Sequence, residues 1–317
     1  MTKVEPAPPA EQIATGSDLP ESWETREFSG TRSQRQQVVG RFRRHRPAVV
    51  ALGIYAALLL GAFVGPYFYP HSYGDLDLAH KSAPPGTPGH ILGTEELGRD
   101  LLAMIMRGVQ HSTLICLIVV VLSGSLGVTV GAVAGFYGRW VDNALMRMVE
   151  LLLSLPIIVV IVVVASGIPS ARTTVGVAII LGAFGWMPLA RIVRAEFLSL
   201  REREYIEAAH ALGASDRRII FRHLVPNSLG SIIVYLTLTV ATAVLAEAGL
   251  TYLGYGVQGN DTSLGRLVSD GVNAADSRPW LFYFPGLVLM IIVLCVNLIG
   301  DGVRDAFDAS AGPSGRS

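Results

Sequence analysis

The polar segment from Arg191 to His223 lies between two long apolar stretches and contains the most informative spacing in the chain. Glu207-Ala208-Ala209 is followed, after three residues, by Gly213, and a charged run then leads to Pro226. A glutamate can pair with a basic residue or cap a neighbouring helix, and two small alanines let another backbone come close. Glycine ends helices readily because it adopts positive φ at little cost. The pattern predicts a helix–glycine–helix element suited to receive mechanical force from a soluble partner.

The two helices of this element have further local signals. Apolar residues recur at three-residue spacing in the first helix and predict a stripe on one face, at Ile206, Ala209 and Leu212. Ser215 or Asp216 can cap the second helix. Its apolar contacts are expected from Ile219, Ile220 and Leu224. We expect Pro226 to end this second helix and to start the next apolar segment.

Enzymatic chemistry has little support in the sequence. There is no Gly-rich phosphate loop of the Walker type, so ATP binding of that kind is not expected in this chain. A nucleophile–base constellation and a His/Cys cluster with metal-ligand spacing are also missing, so we predict no catalytic residue, no cofactor and no metal. Glu247 and Asp301 could serve as the acids of a membrane-embedded enzyme, but they are expected at opposite membrane faces. Cys116 and Cys295 lie inside apolar segments, where packing is their expected role.

Glu247 is the most unusual charge, because it follows a long uncharged stretch and lies near the outer end of the fifth apolar segment. A carboxylate at the centre of a span costs about 2.5–3.5 kcal/mol on insertion scales, and less near an interface. We therefore expect Glu247 to face the helix bundle, a cavity or a partner rather than lipid. Two roles remain open, namely contact with a gate or transport pathway and anchoring of the helix end.

The elements that position these residues are predicted to be membrane spans. The chain of 317 residues is 51% hydrophobic and 16% charged, whereas soluble domains carry about 25% charged residues. A helix of about 20 apolar residues crosses the roughly 30 Å of bilayer hydrocarbon. Six uncharged stretches are long enough: Pro47–Pro70, Ser112–Gly138, Leu151–Ala171, Thr173–Ala190, Leu224–Ala246 and Pro279–Gly300. The sequence predicts an all-α polytopic membrane protein with six transmembrane helices, bent at Pro156 and Pro188.

The distribution of arginines predicts the orientation, because cationic residues next to a span are retained on the cytoplasmic side. Six arginines between residues 32 and 46 directly precede the first span, and seven lie in Arg191–His223, whereas the Tyr255–Arg278 loop holds two. We predict that both termini are cytoplasmic. Nucleic-acid binding is the rival explanation of the first run, but its juxtamembrane position already accounts for it, so no nucleic-acid partner is expected.

The spacing from Glu207 to Pro226 resembles the Glu-Ala-Ala loop of ABC importer permeases, which docks into a groove on a cytoplasmic ATPase. The sequence His223-Leu224-Val225-Pro226-Asn227 departs from the usual pattern of that family and looks like its peptide and nickel branch. Four further segments resemble the DppC/OppC subunits of peptide and nickel ABC importers, at residues 90–101, 131–156, 247–257 and 297–305. Together these segments spread over most of residues 41–308.

This resemblance implies a MetI-like ABC importer permease fold with a cytoplasmic coupling helix, in the bacterial cytoplasmic membrane. It implies a homologous permease of the DppB/OppB type and an extracytoplasmic substrate-binding protein. It also implies two cytoplasmic ATPase subunits of the DppD/DppF or OppD/OppF type, or one fused chain, that bind ATP and magnesium. The implied ATPase-coupling residues are Glu207, Ala208, Ala209, Gly213 and Pro226.

The implied cargo is short peptides, with nickel chelates or haem as the runner-up. A self-gated channel, in which Arg191–His223 would be a plain linker, is an alternative from another class.

The loop after the first span is Gly-punctuated and charged, as expected of an element outside the bilayer. We predict that it contacts a binding protein or a partner permease through Thr94, Glu95, Arg99 and Asp100. A structured surface loop without such a contact is an equal alternative.

Four regions follow from these assignments. Residues 1–40 form a disordered cytoplasmic tail, and residues 41–110 hold the first transmembrane helix and the extracytoplasmic loop. Residues 111–308 form the permease core, with five transmembrane helices and the coupling loop at 191–226. Residues 309–317 form a flexible tail.

Overall fold

A computed structural model of the protein describes residues 34–168, 172–257 and 261–307. Within these ranges the secondary structure is helical, with two isolated β-bridges and no strand. The helices are α1 Gln34–Arg44, α2 Arg46–Val64, α3 Leu101–Tyr137, α4 Arg139–Leu153, α5 Ile157–Gly167, α6 Thr174–Gly185, α7 Met187–Arg201, α8 Glu204–Ala211, α9 Asp216–Ile219, α10 Val225–Tyr252, α11 Leu264–Val272 and α12 Trp280–Phe307. The all-α prediction is confirmed for this part of the chain.

Five helical segments among the described residues are long and apolar enough to cross a membrane: Arg46–Tyr67, Leu101–Tyr137, Thr174–Arg201, Asp216–Tyr252 and Trp280–Phe307. They correspond to five of the six predicted spans. The third predicted span, Leu151–Ala171, is not a single helix, because α4 and α5 are bent by 81° at the break between them. Proline lacks the N–H that would continue the ladder, and Pro156 lies at this break. At about 1.5 Å per residue, α5 is too short to cross the bilayer by itself.

Several predicted boundaries are wrong because helices continue past the charged residues that were used to end them. The second span begins at Leu101 rather than at Ser112, and the fourth continues to Arg201. Asp100 caps the start of α3 by accepting a hydrogen bond from the Ala103 N–H at 2.9 Å. The predicted disordered tail includes residues 34–40, which belong to α1, and α1 packs against α12. Residues 1–33 and the predicted flexible tail at 309–317 lie outside the described residues.

The central helix, α3, packs closely against α7 through three glycines at four-residue spacing. A Cβ atom added at Gly131 would lie 2.5 Å from the carbonyl oxygen of Ala190, and one at Gly127 would lie 2.8 Å from Cβ of Leu189. At Gly135 the closest atom would be Cβ of Phe197, at 2.6 Å. Helices in membranes associate through such small residues, which let backbones approach.

A short helix occupies part of the Tyr255–Arg278 segment that the sequence analysis treated as a loop. This helix, α11, packs on α10, α12 and α3 through the buried side chains of Leu264 and Leu267. A Cβ atom at Gly271 would lie 2.5 Å from the carbonyl oxygen of Leu281, so α11 lies directly on the start of α12. Nine residues are too short for a span, which is why the uncharged-stretch criterion missed the helix.

Candidate functional site

The predicted helix–glycine–helix element consists of α8, Gly213 and α9 and is called the coupling element from here on. Gly213 has a φ of +78°, and its N–H donates to the His210 carbonyl at 2.9 Å. The next N–H, of Ala214, donates to the Ala209 carbonyl at 3.0 Å. These two bonds form a Schellman motif, which requires the left-handed conformation that glycine adopts most easily. Ser215 precedes α9 in extended conformation, but its side chain makes no capping hydrogen bond.

One face of this element is anchored to the rest of the molecule. Ile206 of α8 and Ile219 of α9 are buried in a cluster with Phe197 of α7 and with Leu224. The same cluster includes Ala132 of α3 and Ile232 of α10. The coupling element is therefore joined by apolar packing to three of the long helices.

The other face of the element is exposed and partly apolar. Leu212 is 89% exposed and Phe221 is 68% exposed, with Tyr205 also on the surface. Glu207 and Ala208 are exposed as well, and Ala209 is half-buried. The predicted stripe through Leu212 is wrong, because α8 ends at Ala211 and the chain turns before Leu212 can join Ile206. Leu212 and Phe221 thus lie where a partner could cover them.

Pro226 does not end the second helix. The chain continues from α9 through a π-helical turn, Ile220–Leu224, directly into α10. The N–H of Val225 donates to the Ile220 carbonyl, five residues back. Pro226 follows at the start of α10, where its missing N–H disturbs least. The side-chain amide of Asn227 donates to the His223 carbonyl at 2.6 Å. Pro226 lies in the first turn of α10, but the helical segment that is long and apolar enough to span the membrane already begins at Asp216.

Glu247 lies inside the bundle, as predicted, with 1% of its surface exposed. Its Oε1 accepts hydrogen bonds from the Ser263 hydroxyl at 2.6 Å and from the Thr251 hydroxyl at 2.9 Å. Ser263 is also the residue that caps α11. The other carboxylate oxygen, Oε2, lies against Gly265, where an added Cβ atom would come within 2.7 Å of it. Glu247 therefore joins the end of α10 to the start of α11.

An ion pair that the sequence analysis missed lies near this junction. The Arg107 guanidinium donates to Asp261 Oδ1 at 3.0 Å, and His111 Nε2 lies 3.4 Å from the same oxygen. The other ring nitrogen of His111 is 2.7 Å from the Thr174 hydroxyl. These residues are far apart in the sequence, so spacing gave no signal for them.

The loop between α2 and α3 is built around the residues that were predicted as outside contacts. Thr94 and Asp100 are buried, so their assignment as partner contacts is wrong in this structure. The Thr94 hydroxyl donates to the His80 carbonyl and accepts from the Ala83 N–H. Glu95 and Arg99 form an ion pair with each other and stay partly exposed. A contact role is therefore compatible with Glu95 and Arg99 alone among the four.

The same loop gathers histidines and carboxylates that the sequence spacing did not reveal. His90 is buried, with Nδ1 2.8 Å from Asp100 Oδ2 and Nε2 3.3 Å from Asp77 Oδ2. His80 Nδ1 lies 2.8 Å from the same Asp77 oxygen. One donor atom from each of Asp77, His80 and His90 lies within 4.8 Å of the others, a grouping that could hold a metal ion. The expectation of no metal-ligating cluster is revised, because the fold of the loop, rather than a sequence motif, brings these residues together.

Hydrogen bonding shifts the acid–base properties of this cluster. Hydrogen bonds from His80 and His90 hold the pKa of the exposed Asp77 carboxyl well below its usual range. Burial works against the charged form of His90, but its hydrogen bonds to Asp100 and Asp77 outweigh burial and raise its pKa. Burial and the hydrogen bond to Asp100 raise the pKa of Tyr69 to about 12. These contacts therefore favour the ionised form of Asp77 and the protonated forms of His90 and Tyr69.

Comparison with known protein families gives two matches. Residues 127–312 match the family described as binding-protein-dependent transport system inner membrane component. Residues 33–85 match the family described as N-terminal TM domain of oligopeptide transport permease C. The first match includes the coupling element and Glu247, and the second includes α2 and much of the loop that follows it.

Similar proteins cover most of the chain. The oligopeptide transport system permease protein OppC of Mycobacterium tuberculosis is 45% identical over 279 residues, covering 88% of this chain and 96% of that protein. A putative peptide permease of Brucella suis is 39% identical, covering 86% and 89%. OppC of Bacillus subtilis is 37% identical, covering 84% and 87%.

Among solved structures, the MetNI methionine ABC transporter in an inward-facing conformation has a similar chain. The TM-score is 0.47 and the identity 22%, and the similarity covers 64% of this chain and 96% of that one.

Proposed function

The chain belongs to the family of binding-protein-dependent transport system inner membrane components, as a permease of the DppC/OppC type, and we propose that it translocates short peptides across the bacterial cytoplasmic membrane. It is a multi-pass membrane protein and the permease subunit of an ABC importer. The names of the relatives support peptides as cargo. Nickel chelates or haem remain the runner-up cargo for the same architecture.

The observation that carries the proposal is the two-sided coupling element. Its inner face is buried on α7 through Ile206 and Phe197, and its outer face leaves Leu212 and Phe221 exposed. An apolar, partly charged surface of this kind suits docking to another protein. The partners are two ATPase subunits, which bind ATP and magnesium, with a second permease and a substrate-binding protein.

The connections of the element support a mechanical role. α8 moves with α7 through the buried cluster, and α9 is continuous with α10. A displacement of the element by an ATPase would therefore reach both helices directly. At the far end of α10, Glu247 would carry the movement into α11, since the hydroxyl of Ser263, which caps α11, donates to its carboxylate. Such a movement of α7, α10 and α11 would switch the permease between inward-open and outward-open states.

The enzyme alternative is poorly supported by the geometry. Asp301 of α12 is next to Gly302, which contacts the start of α2 at Ala48. Gly230, near the beginning of α10, contacts Phe307. Gly300, which precedes Asp301, lies against Thr237 of α10, and Glu247 lies ten residues further along α10, about 15 Å away. Glu247 and Asp301 are too far apart to act as one catalytic pair.

Purification of the tagged chain from native membranes, followed by mass spectrometry, tests the proposal. We expect a second permease and ATPase subunits to copurify, and uptake of labelled short peptides to require all of them. A chain that purifies without any ATPase would support the channel or enzyme alternatives instead. Peptide uptake that is unchanged after deletion of this chain would remove peptides as the cargo.

The orientation is tested with a single cysteine at position 208. We expect Ala208→Cys to crosslink to an ATPase subunit and to resist a membrane-impermeant maleimide in intact cells. The native Cys116 and Cys295 are buried, which keeps the background low. A matched control is Tyr67→Cys, because Tyr67 is 85% exposed at the end of α2 next to the opposite loop. Labelling of position 208 from outside the cell would overturn the coupling role.

A further inference from the structure

The loop between α2 and α3 lies at the Leu101 end of α3, whereas the coupling element packs near its Tyr137 end, about 55 Å away along the helix. We propose that Asp77, His80 and His90 of this loop form a binding site for a divalent transition-metal ion of the zinc type. Imidazole nitrogens and a carboxylate oxygen are ligands that Zn²⁺ accepts. The site would be structural, and it does not depend on which cargo the transporter carries.

The three donor atoms are already close to the spacing that a metal requires. Ligand atoms around a tetrahedral Zn²⁺ at about 2.0 Å lie about 3.3 Å apart. His90 Nε2 is 3.3 Å from Asp77 Oδ2, and His80 Nδ1 is 2.8 Å from the same oxygen. The ion would need an opening of a few tenths of an ångström between His80 and Asp77. The nitrogens of His80 and His90, which lie within 4.8 Å of each other, would also have to adopt this spacing. Water would complete the coordination.

The other ring nitrogen of His90, Nδ1, has the kind of hydrogen bond that orients metal-binding histidines. Ligating histidines usually donate their other ring N–H to a carboxylate, which fixes the tautomer. His90 Nδ1 is 2.8 Å from Asp100 Oδ2. Asp100 is held in turn by the Tyr69 hydroxyl at 2.9 Å and by the Ala103 N–H at 2.9 Å. With Nδ1 donating to Asp100, Nε2 is the ring nitrogen that faces Asp77, and it would bind the ion once the ion displaces its proton.

The charges favour a cation at this position. His90 Nε2 and Asp77 Oδ2 face each other at 3.3 Å, so a positive charge is favoured between them. A proton on Nε2 supplies that charge without an ion, and a divalent cation would take its place. Asp77 Oδ1 accepts from the Ala79 N–H at 3.0 Å, whereas Oδ2 faces both histidine nitrogens, so Oδ2 is the oxygen that would bind the ion.

The backbone of the loop fixes the ligands in advance and leaves a path for the ion. Gly98 has a φ of +85°, and a Cβ atom there would lie 2.1 Å from the Asp77 carbonyl oxygen. The Asp77 N–H donates to the Gly98 carbonyl at 3.2 Å. His80 and Asp77 have side chains that are 46% and 35% exposed, whereas His90 is 2% exposed. A bound ion would tie the loop surface to the buried start of α3.

The test is a titration of the purified full-length chain with zinc chloride, after treatment with a chelator, against a competing zinc indicator. We expect one saturable site per chain, with X-ray absorption that shows two imidazole ligands. His80→Ala and Asp77→Asn should each weaken binding by at least about tenfold, and Asp100→Asn by about 10–100-fold through the orientation of His90.

His71 provides the matched control. It is in the same loop and its ring stacks on His90 at 4.5 Å, but it is outside the set of ligands. We expect His71→Ala to retain zinc affinity within about threefold, which is less than 1 kcal/mol. Equal loss in His71→Ala and His80→Ala would overturn the assigned ligands. No saturable binding below about 10 μM, in a wild-type chain that remains monodisperse, would overturn the site itself.

Discussion

Asp142 and Arg194 form a two-point ion pair that joins α4 to α7. The Arg194 Nη2 donates to Asp142 Oδ2 at 2.6 Å, and its Nε donates to Oδ1. Asp142 also lies in the first turn of α4, where the helix dipole favours a negative charge. Because α7 carries the anchoring surface for α8, this pair links the broken α4–α5 unit to the coupling element.

Replacement of Asp142 by Asn should destabilise the protein by about 1–3 kcal/mol, because a buried charge-assisted hydrogen bond is lost. Thermal unfolding of the solubilised chain measures this effect. Glu150→Gln is the matched control, since Glu150 pairs with Arg147 at 3.5 Å with both side chains largely exposed. That control should change stability by no more than about 0.5 kcal/mol. Equal effects of the two substitutions would contradict the role given to Asp142.

Gly131→Ala should force α3 away from α7. A Cβ atom there would lie 2.5 Å from the Ala190 carbonyl oxygen, which is backbone and cannot rotate away. The expected cost is about 1–3 kcal/mol, typical of overpacking. Gly286→Ala is the control, because a Cβ atom at Gly286 meets nothing within 4 Å. The two variants are compared by unfolding in a mixed-micelle titration, and a Gly131→Ala protein as stable as the control would refute the close approach.

Gly213→Pro should abolish the coupling of ATP hydrolysis to transport while membrane insertion stays intact. Proline fixes φ near −65°, whereas Gly213 has +78° and donates its N–H to His210. Gly213→Ala keeps the N–H and should cost only about 1–2 kcal/mol of local stability, with partial activity. Substrate-stimulated ATPase activity of the assembled complex in liposomes is the measurement. Unchanged uptake in Gly213→Pro would count against a coupling role.

Leu212→Asp should weaken binding of the ATPase without affecting the fold, because Leu212 is 89% exposed. Ile206→Ala, on the buried face, should instead destabilise the chain by about 2–5 kcal/mol. Copurification and thermal unfolding, measured together, separate the two faces. If both variants still bind the ATPase, then docking occurs elsewhere.

Glu247→Ala should loosen α11, because the hydroxyls of Ser263 and Thr251 lose their acceptor. We expect faster hydrogen exchange in Leu264–Val272 and a destabilisation of about 1–3 kcal/mol. Glu247→Gln keeps an acceptor and should have a smaller effect. Unchanged exchange together with lost transport would favour the pathway role of Glu247 over helix-end anchoring, and so decides between the two roles that the sequence left open.

Local sequence patterns were enough to predict much of the structure of this protein. Uncharged stretches of about 20 residues identify spans because lipid excludes charge and requires a self-satisfied backbone. Five of the six predicted spans accordingly correspond to long apolar helices among the described residues. The helix end at Gly213 was predictable because a Schellman motif depends on one glycine and its immediate neighbours. The burial of Glu247 followed from the cost of a carboxylate in hydrocarbon.

Other features depended on contacts that only the folded chain provides. α3 begins before Arg107, which pairs with Asp261, and α7 continues past Arg194, which pairs with Asp142 of α4. Thr94 and Asp100 look like surface residues by type, but the loop folds around them. The role of the three α3 glycines in close helix packing is evident only from the position of α7. Asp77 and His90 meet because the chain turns back between them, a long-range closure that residue types and spacing do not encode.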